Sequence, residues 1–286
     1  MKHLFVLGAV CLVLAGCTNL GGDAMIESDL VYADRPSGEL SGHLFRPQGD
    51  GPHPAVVVIH GGGWRGGEPW HMGHVSRRLA NDGFVVFTPT YRFTPEHVHP
   101  AQLNDVRDAY RWLAAQSFVD RANIAVWGYS AGAHLALMLG LAPESAGGLG
   151  DGERPIALIG GGSPTGFNLF SADEALIVQL IGRERGDDPE AWEAASPISW
   201  VTGDDPPVYL YHGSLDRVVD IDHARALNSA LQEAGVPSIL DTVMGGHISV
   251  AVLDRNVEGR ALAWLRQHLS DATGTFDMLP ADAEAP

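Results

Sequence analysis

An α/β fold, with a mostly parallel central sheet and helices on both faces, is what this sequence predicts. Three observations predict it. Short apolar runs rich in β-branched residues alternate regularly with amphipathic stretches of helical period. Runs such as "AVVVIH" carry no polar alternation, as expected of strands buried on both faces. The 286 residues, 45% hydrophobic and 19% charged, suffice for one large domain and exclude a disordered or fibrous chain. The formal net charge of −17 and only 18 lysines and arginines, unclustered, exclude a nucleic-acid partner.

The first element stands outside the fold. Residues 1–16 carry Lys2 and then an apolar run from Leu4 to Ala15, the build of a secretory signal and too short to span a bilayer comfortably. Leu14-Ala15-Gly16-Cys17 resembles the bacterial lipobox, in which the cysteine is acylated and the chain cut before it. The chain has two cysteines, Cys11 and Cys17; loss of the first with the signal and lipidation of the second would leave no free thiol. Thr18 in place of an aspartate resembles the outer-membrane sorting signal, so the expectation is an exported lipoprotein anchored to a membrane through its N-terminal lipid. Residues 17–29 read as a polar tether, residues 30–270 as the folded domain and residues 271–286 as a flexible acidic tail.

Within the domain, "VYADRPSGELSGHLFRP" alternates around Pro36-Ser37-Gly38 and predicts a hairpin. The strand "AVVVIH" follows, then a helix from Trp70 to Asn81 stopped near Gly83, then the strand "FVVFTPTYR". After Pro100, Leu103, Val106, Tyr110 and Leu113 share one helical face. The strand "NIAVWGYS", the helix "AGAHLALMLGLA" and the strand "IALIGG" come next. An insertion from Pro164 to Trp200 precedes the strand "PVYLYHG". A helix with Ala224, Leu227, Leu231 and Ala234 on one side ends at Gly235; "SILDTVM" and a helix from Ala261 to Leu269 complete the pattern.

Ligands of such sheets lie beyond the carboxyl ends of the strands, and the loops there carry the chemistry-bearing residues. Gly128-Tyr129-Ser130-Ala131-Gly132 fits G-x-S-x-G between a strand and a helix, the context of a serine held on a strained turn. A serine hydroxyl needs a base, and His247 follows the last strand and two glycines. Among 13 histidines it is singled out by that position. Asp216 occupies the loop after the preceding strand and would fix the imidazole tautomer. Asp220 and Asp222 compete for the acid role, but Asp222 reads as a helix cap and Asp241 lies within a strand. His97 and His99 beside Glu96, and His71 and His74 three residues apart on a helix, read as structural rather than as metal ligands.

These residues resemble the serine carboxylesterases of the α/β-hydrolase superfamily. The likeness is to the hormone-sensitive-lipase-like branch and to carbohydrate esterases such as acetyl and feruloyl esterases. It rests on His60-Gly61-Gly62-Gly63-Trp64, "YRFTPEHVHPAQLND", the Gly128–Gly132 motif, "HGSLDRVV" and "GGH", running from about Ala55 to His247 in the superfamily's Ser-Asp-His order. The resemblance implies hydrolysis of short-chain or carbohydrate-linked acyl esters by Ser130, His247 and Asp216, with no metal or organic cofactor. It also implies an oxyanion hole from the N–H groups of Gly61 and Gly62, joined by that of Ala131. Trp64, Tyr129 and Trp200 are candidates for the substrate pocket; Trp64, Trp192 and Trp200 either form a stacking platform or pack the insertion. The elbow departs from the lipase-like Gly-Asp-Ser-Ala-Gly-Gly, and little precedes "AVVVIH", so little or no cap domain is expected. An arylformamidase-like amidase, a prolyl-oligopeptidase-like peptidase and a catalytically inactive surface binding protein are the competing readings.

Overall fold

The computed structural model describes residues 24–269. The leader, Cys17 and the acidic tail 271–286 lie outside the described residues. The strands are β1 Met25–Arg35, β2 Gly38–Arg46, β3 His53–Ile59, β4 Val85–Pro89, β5 Val119–Tyr129, β6 Leu158–Gly161, β7 Val208–Gly213 and β8 Ser238–Val243. They form one eight-stranded sheet in the order β1-β2-β4-β3-β5-β6-β7-β8. Strands β1 and β2 pair antiparallel around the Pro36-Ser37 turn, and β2 is antiparallel to β4. From β4 to β8 every neighbouring pair is parallel. The predicted α/β architecture is therefore the observed one.

Two antiparallel steps return β1 to the direction of the parallel strands. Met25 thus lies at the sheet end where those strands begin, paired with Arg46. The backbone N–H of Ala24 donates to Asn81 Oδ1 at 3.0 Å. Residues 25–29 belong to this strand, which corrects the expectation of a tether reaching Asp29. Pairing with β2 satisfies their backbone groups, as Met25↔Arg46 and Ile26↔Phe45 show.

The helices are α1 Gly73–Asn81, α2 Ala101–Ala114, α3 Ala131–Leu141, α4 Ala175–Ile181, α5 Pro189–Ala194, α6 Ile221–Glu233, α7 His247–Leu253 and α8 Arg255–Arg266. The period-2 geometry of β3 divides the core. Val57 and Ile59 face the layer holding Leu103, Leu135 and Leu227 of α2, α3 and α6. Val56 and Val58 face Val75 and Leu79 of α1 and Val257 and Leu265 of α8. All four residues of the predicted α2 stripe, Leu103, Val106, Tyr110 and Leu113, are buried.

The last helix begins earlier than its apolar pattern suggests, because Asp254 Oδ1 caps it, accepting from the N–H groups of Asn256 and Val257 at 3.1 and 3.0 Å. On the outermost parallel strand β8, Asp241 Oδ2 accepts from the Tyr209 hydroxyl at 2.6 Å and from Arg260 Nε at 2.7 Å. The insertion between β6 and β7 folds into α4 and α5, of seven and six residues, with short 3-10 turns around them.

Candidate active site

Ser130 stands between β5 and α3 with φ 55° and ψ −123°, a left-handed conformation that a side chain rarely adopts. The surrounding glycines make that turn possible. A Cβ on Gly128 would lie 2.1 Å from the Gly132 carbonyl oxygen, and one on Gly132 would lie 2.2 Å from that of Ile59. The turn is held by the Ser130 N–H donating to Gly161 O at 2.7 Å. All eleven residues of α3 are buried, so the elbow is backed by a rigid helix. The serine's own side chain makes no capping bond to α3, which leaves Oγ available.

It is used at once. Ser130 Oγ donates to His247 Nε2 at 2.9 Å, and His247 Nδ1–H donates to Asp216 Oδ2 at 2.6 Å. A carboxylate only accepts, so the proton of the neutral ring belongs on Nδ1 and the free lone pair faces serine. His247 is the first residue of α7 rather than part of an open loop. Its carbonyl accepts from the Tyr129 hydroxyl at 2.5 Å, and its ring packs 5.3 Å from that of Tyr129. Gly162 makes room beside the imidazole, since a Cβ there would stand 3.0 Å from His247 Cε1.

Asp216 is fixed by three hydrogen bonds and a fourth, longer contact. Its Oδ1 accepts from the N–H groups of Val218 and Val219 at 2.9 and 3.0 Å. Besides His247, His212 Nε2 approaches Oδ2 to 3.4 Å while donating to Val219 O at 2.9 Å. Burial alone would raise the pKa of this carboxyl; the contacts with His212 and His247 and the two N–H groups outweigh burial and hold it well below the usual carboxylate range. The cap of α6 is Asp220, whose Oδ1 accepts from Asp222 N at 2.9 Å, which corrects the expectation for Asp222. Asp222 instead pairs with Arg225.

The glycine run after β3 wraps against the elbow. A Cβ on Gly61 would meet Tyr129 O at 2.9 Å and Ser130 Cβ at 3.2 Å. Gly62 has φ +128°, and a Cβ on it would fall 2.0 Å from Gly66 O. Glycine is thus required by the loop's own closure, not only by access of a reactant. The N–H groups of Gly61, Gly62 and Ala131 reach no backbone acceptor among the described residues. His60 braces the loop: its Nδ1 lies 2.7 Å from Gly61 O, its carbonyl accepts from the Tyr91 hydroxyl at 3.0 Å, and its ring stacks on Tyr91 at 4.5 Å. Burial pushes this imidazole down to about 4.

The aromatic pocket candidates are placed differently. Trp64 is only 3% exposed and turns its indole inward, donating to His134 Nδ1 at 3.2 Å, so it does not wall an open pocket. Trp192 is buried, with its indole N–H on Arg183 O, and builds no stacking platform. Trp200 is half-buried and donates to Ala194 O at 2.8 Å. Tyr129 lies beneath His247. In each case burying a large aromatic gains more than exposing it, provided its polar handle finds an acceptor.

Two histidines escaped the sequence reading. His212 carries a readable signal, four residues before Asp216 at a strand end. His134 carries none; it bridges Trp64 and Ala195 O, and burial pushes it down to about 3. His74, read from the sequence as structural, meets Glu258 Oε1 at 2.5 Å. The backbone N–H of His99 donates to Leu180 O, and the His97 carbonyl accepts from Gln102 Nε2, consistent with structural roles.

An eight-stranded, mostly parallel sheet with a glycine-flanked serine at its elbow, a histidine after the last strand and an aspartate after the preceding one defines an α/β-hydrolase. The chain belongs to the BD-FAE family, whose model matches residues 44–231. It is similar to the esterase LipC of Mycobacterium tuberculosis, 31% identical over 222 residues, covering 71% of this chain and 54% of that protein. The chain spans about half the length of the curated relatives it matches. Among solved structures it superimposes on a truncated carbohydrate esterase from gut microbiota with a TM-score of 0.77, at 23% identity, over 86% of this chain and 96% of that one. The propionate-bound esterase Est2 of Thermogutta terrifontis gives 0.70 at 23% identity, over 85% and 92% of the two chains.

Proposed function

We propose that this protein hydrolyses carboxylic esters through Ser130, His247 and Asp216. The observation that carries the reading is the unbroken chain of hydrogen bonds from the strained Ser130 to His247 and on to Asp216. As the Ser130 Oγ–C bond forms on the ester carbonyl, His247 Nε2 takes the hydroxyl proton, and Asp216 stabilises the resulting imidazolium. His247 returns that proton to the departing alcohol oxygen as the ester C–O bond breaks, leaving an acyl-serine. Water then attacks the acyl carbon through the same base, releasing the carboxylic acid and restoring Ser130. The N–H groups of Gly61, Gly62 and Ala131 receive the negative oxygen; loss of one such donor typically costs about 2.7–4 kcal/mol of transition-state stabilisation.

Membership in the BD-FAE family and the likeness to LipC support the reaction class. The small insertion between β6 and β7, with only the two short helices α4 and α5, supports an acyl group carried on a bulky alcohol such as a polysaccharide. The leader and Leu14-Ala15-Gly16-Cys17 support export and acylation at Cys17. A fluorophosphonate probe should label the wild type and not Ser130→Ala. An ester panel should then favour acetylated or feruloylated polysaccharide and short nitrophenyl esters. Absence of labelling would overturn the hydrolase reading, and a preference for long acyl chains would overturn the polymer-linked substrate.

A further inference from the structure

The polarity of the sheet fixes where an N-terminal anchor joins the domain. Every parallel strand from β4 to β8 ends at the catalytic mouth, where Ser130, Asp216 and His247 meet. Strand β1 runs in the same direction, so the chain enters at the opposite end, with Met25 beside Arg46 and Ala24 tied to Asn81 at the end of α1. Along the strand direction the two ends lie ~23 Å apart over the seven residues of β3. Across the sheet, β1 and β5 are separated by four strand spacings of ~4.8 Å each. The entry point and Ser130 are therefore ~30 Å apart.

Cys17 precedes Ala24 by seven residues, a reach of ~25 Å when fully extended. That reach is shorter than the ~30 Å between the entry point and Ser130. The entry end, where Met25 and Ile26 are exposed apolar residues, is therefore the end nearer the anchoring bilayer. Resting on the lipoprotein and esterase readings above, we infer that the catalytic mouth faces away from the anchoring bilayer, and that the ester substrate is soluble or polymer-borne rather than a lipid of that bilayer. The exposed Leu215 and Val218 beside Asp216, Met244 after β8 and Ile248 on α7 then contact apolar parts of that substrate instead of acyl chains of the membrane.

The sequence makes the test direct, because Cys11 and Cys17 are its only cysteines and both lie in the leader region. A thiol introduced at exposed Asp50, in the loop between β2 and β3, or at Met244, which is 84% exposed beside the mouth, would be the sole reactive one in acylated protein. Each variant, carrying a fluorophore, is reconstituted in phosphatidylcholine vesicles doped with a headgroup quencher. The expected result is quenching at Asp50→Cys several-fold stronger than at Met244→Cys. Equal or stronger quenching at Met244 overturns the proposal. So does hydrolysis of an ester-bearing lipid in the enzyme's own vesicle at a rate matching that of a water-soluble ester. Labelled palmitate on Cys17 reports the anchor separately, and its absence overturns the orientation. Hydrolysis of nitrophenyl acetate reports the esterase reading alone, so its failure leaves the quenching result intact.

Discussion

At Asp216 two histidines address one carboxylate, and only one of them faces serine. His212 holds both Asp216 and the Val219 carbonyl, so it orders the loop that presents the acid. It is a positioning residue, and His212→Phe tests it: with one stabilising contact gone, the Asp216 pKa should rise. Turnover should fall by about tenfold or less, with KM unchanged. An unchanged kcat would show that His212 only fills space. Asp216→Asn should lower kcat by roughly 10⁴-fold, through the wrong imidazole tautomer, with the melting temperature little changed. Ser130, Asp216 and His247 were legible because motif, strand order and loop position all pointed to them. His134 and the inward turn of Trp64 were not, because which face of a buried aromatic finds an acceptor depends on contacts 70 residues apart.

At the scale of elements, the helix behind the nucleophile does more than follow it. Gly132 lets α3 lie against the end of β3, and Gly132→Ala would force a Cβ to 2.2 Å from the Ile59 carbonyl. The expected cost is about 1–3 kcal/mol of stability, read as a lowered denaturant midpoint, together with reduced turnover as the Gly61–Gly62 loop shifts. Tyr129→Phe removes the hydroxyl bond to the His247 backbone; kcat should fall by up to about tenfold while stability changes by about 1 kcal/mol, measurable by steady-state kinetics and thermal melts. The long periodic elements, α2 and α6 above all, were readable from their apolar stripes. The boundary between α7 and α8 was not, because a single capping carboxylate, Asp254, sets it within a continuous helical pattern.

The whole molecule carries several histidines kept neutral by burial. His60, His99 and His223 are each pushed down to about 4, and His134 to about 3. Their folded pKa values lie below the ordinary value of about 6.5, so the unfolded chain takes up protons first as pH falls. Stability should be fully present above about pH 6.5 and decline progressively toward pH 4, seen as a falling urea midpoint. A flat midpoint over that range would contradict the burial of these rings. Composition and alternation made the fold class legible. The sheet order was not, because nothing local in β1 and β2 states that the hairpin joins beside β4 rather than at the other edge.

That leaves β8 as a border, and its chemistry governs how the molecule behaves in a crowd. No described strand covers its outer side, and Ile239 is exposed on it. Such a border invites strand-on-strand polymerisation. Asp241, held between Tyr209 and Arg260, sits in the middle of the border, and a copy docking there would have to strip water from that ion pair. The same carboxylate that looked like a spare acid in the sequence thus keeps a charge on that border. Asp241→Val should make sedimentation more concentration-dependent than the wild type's.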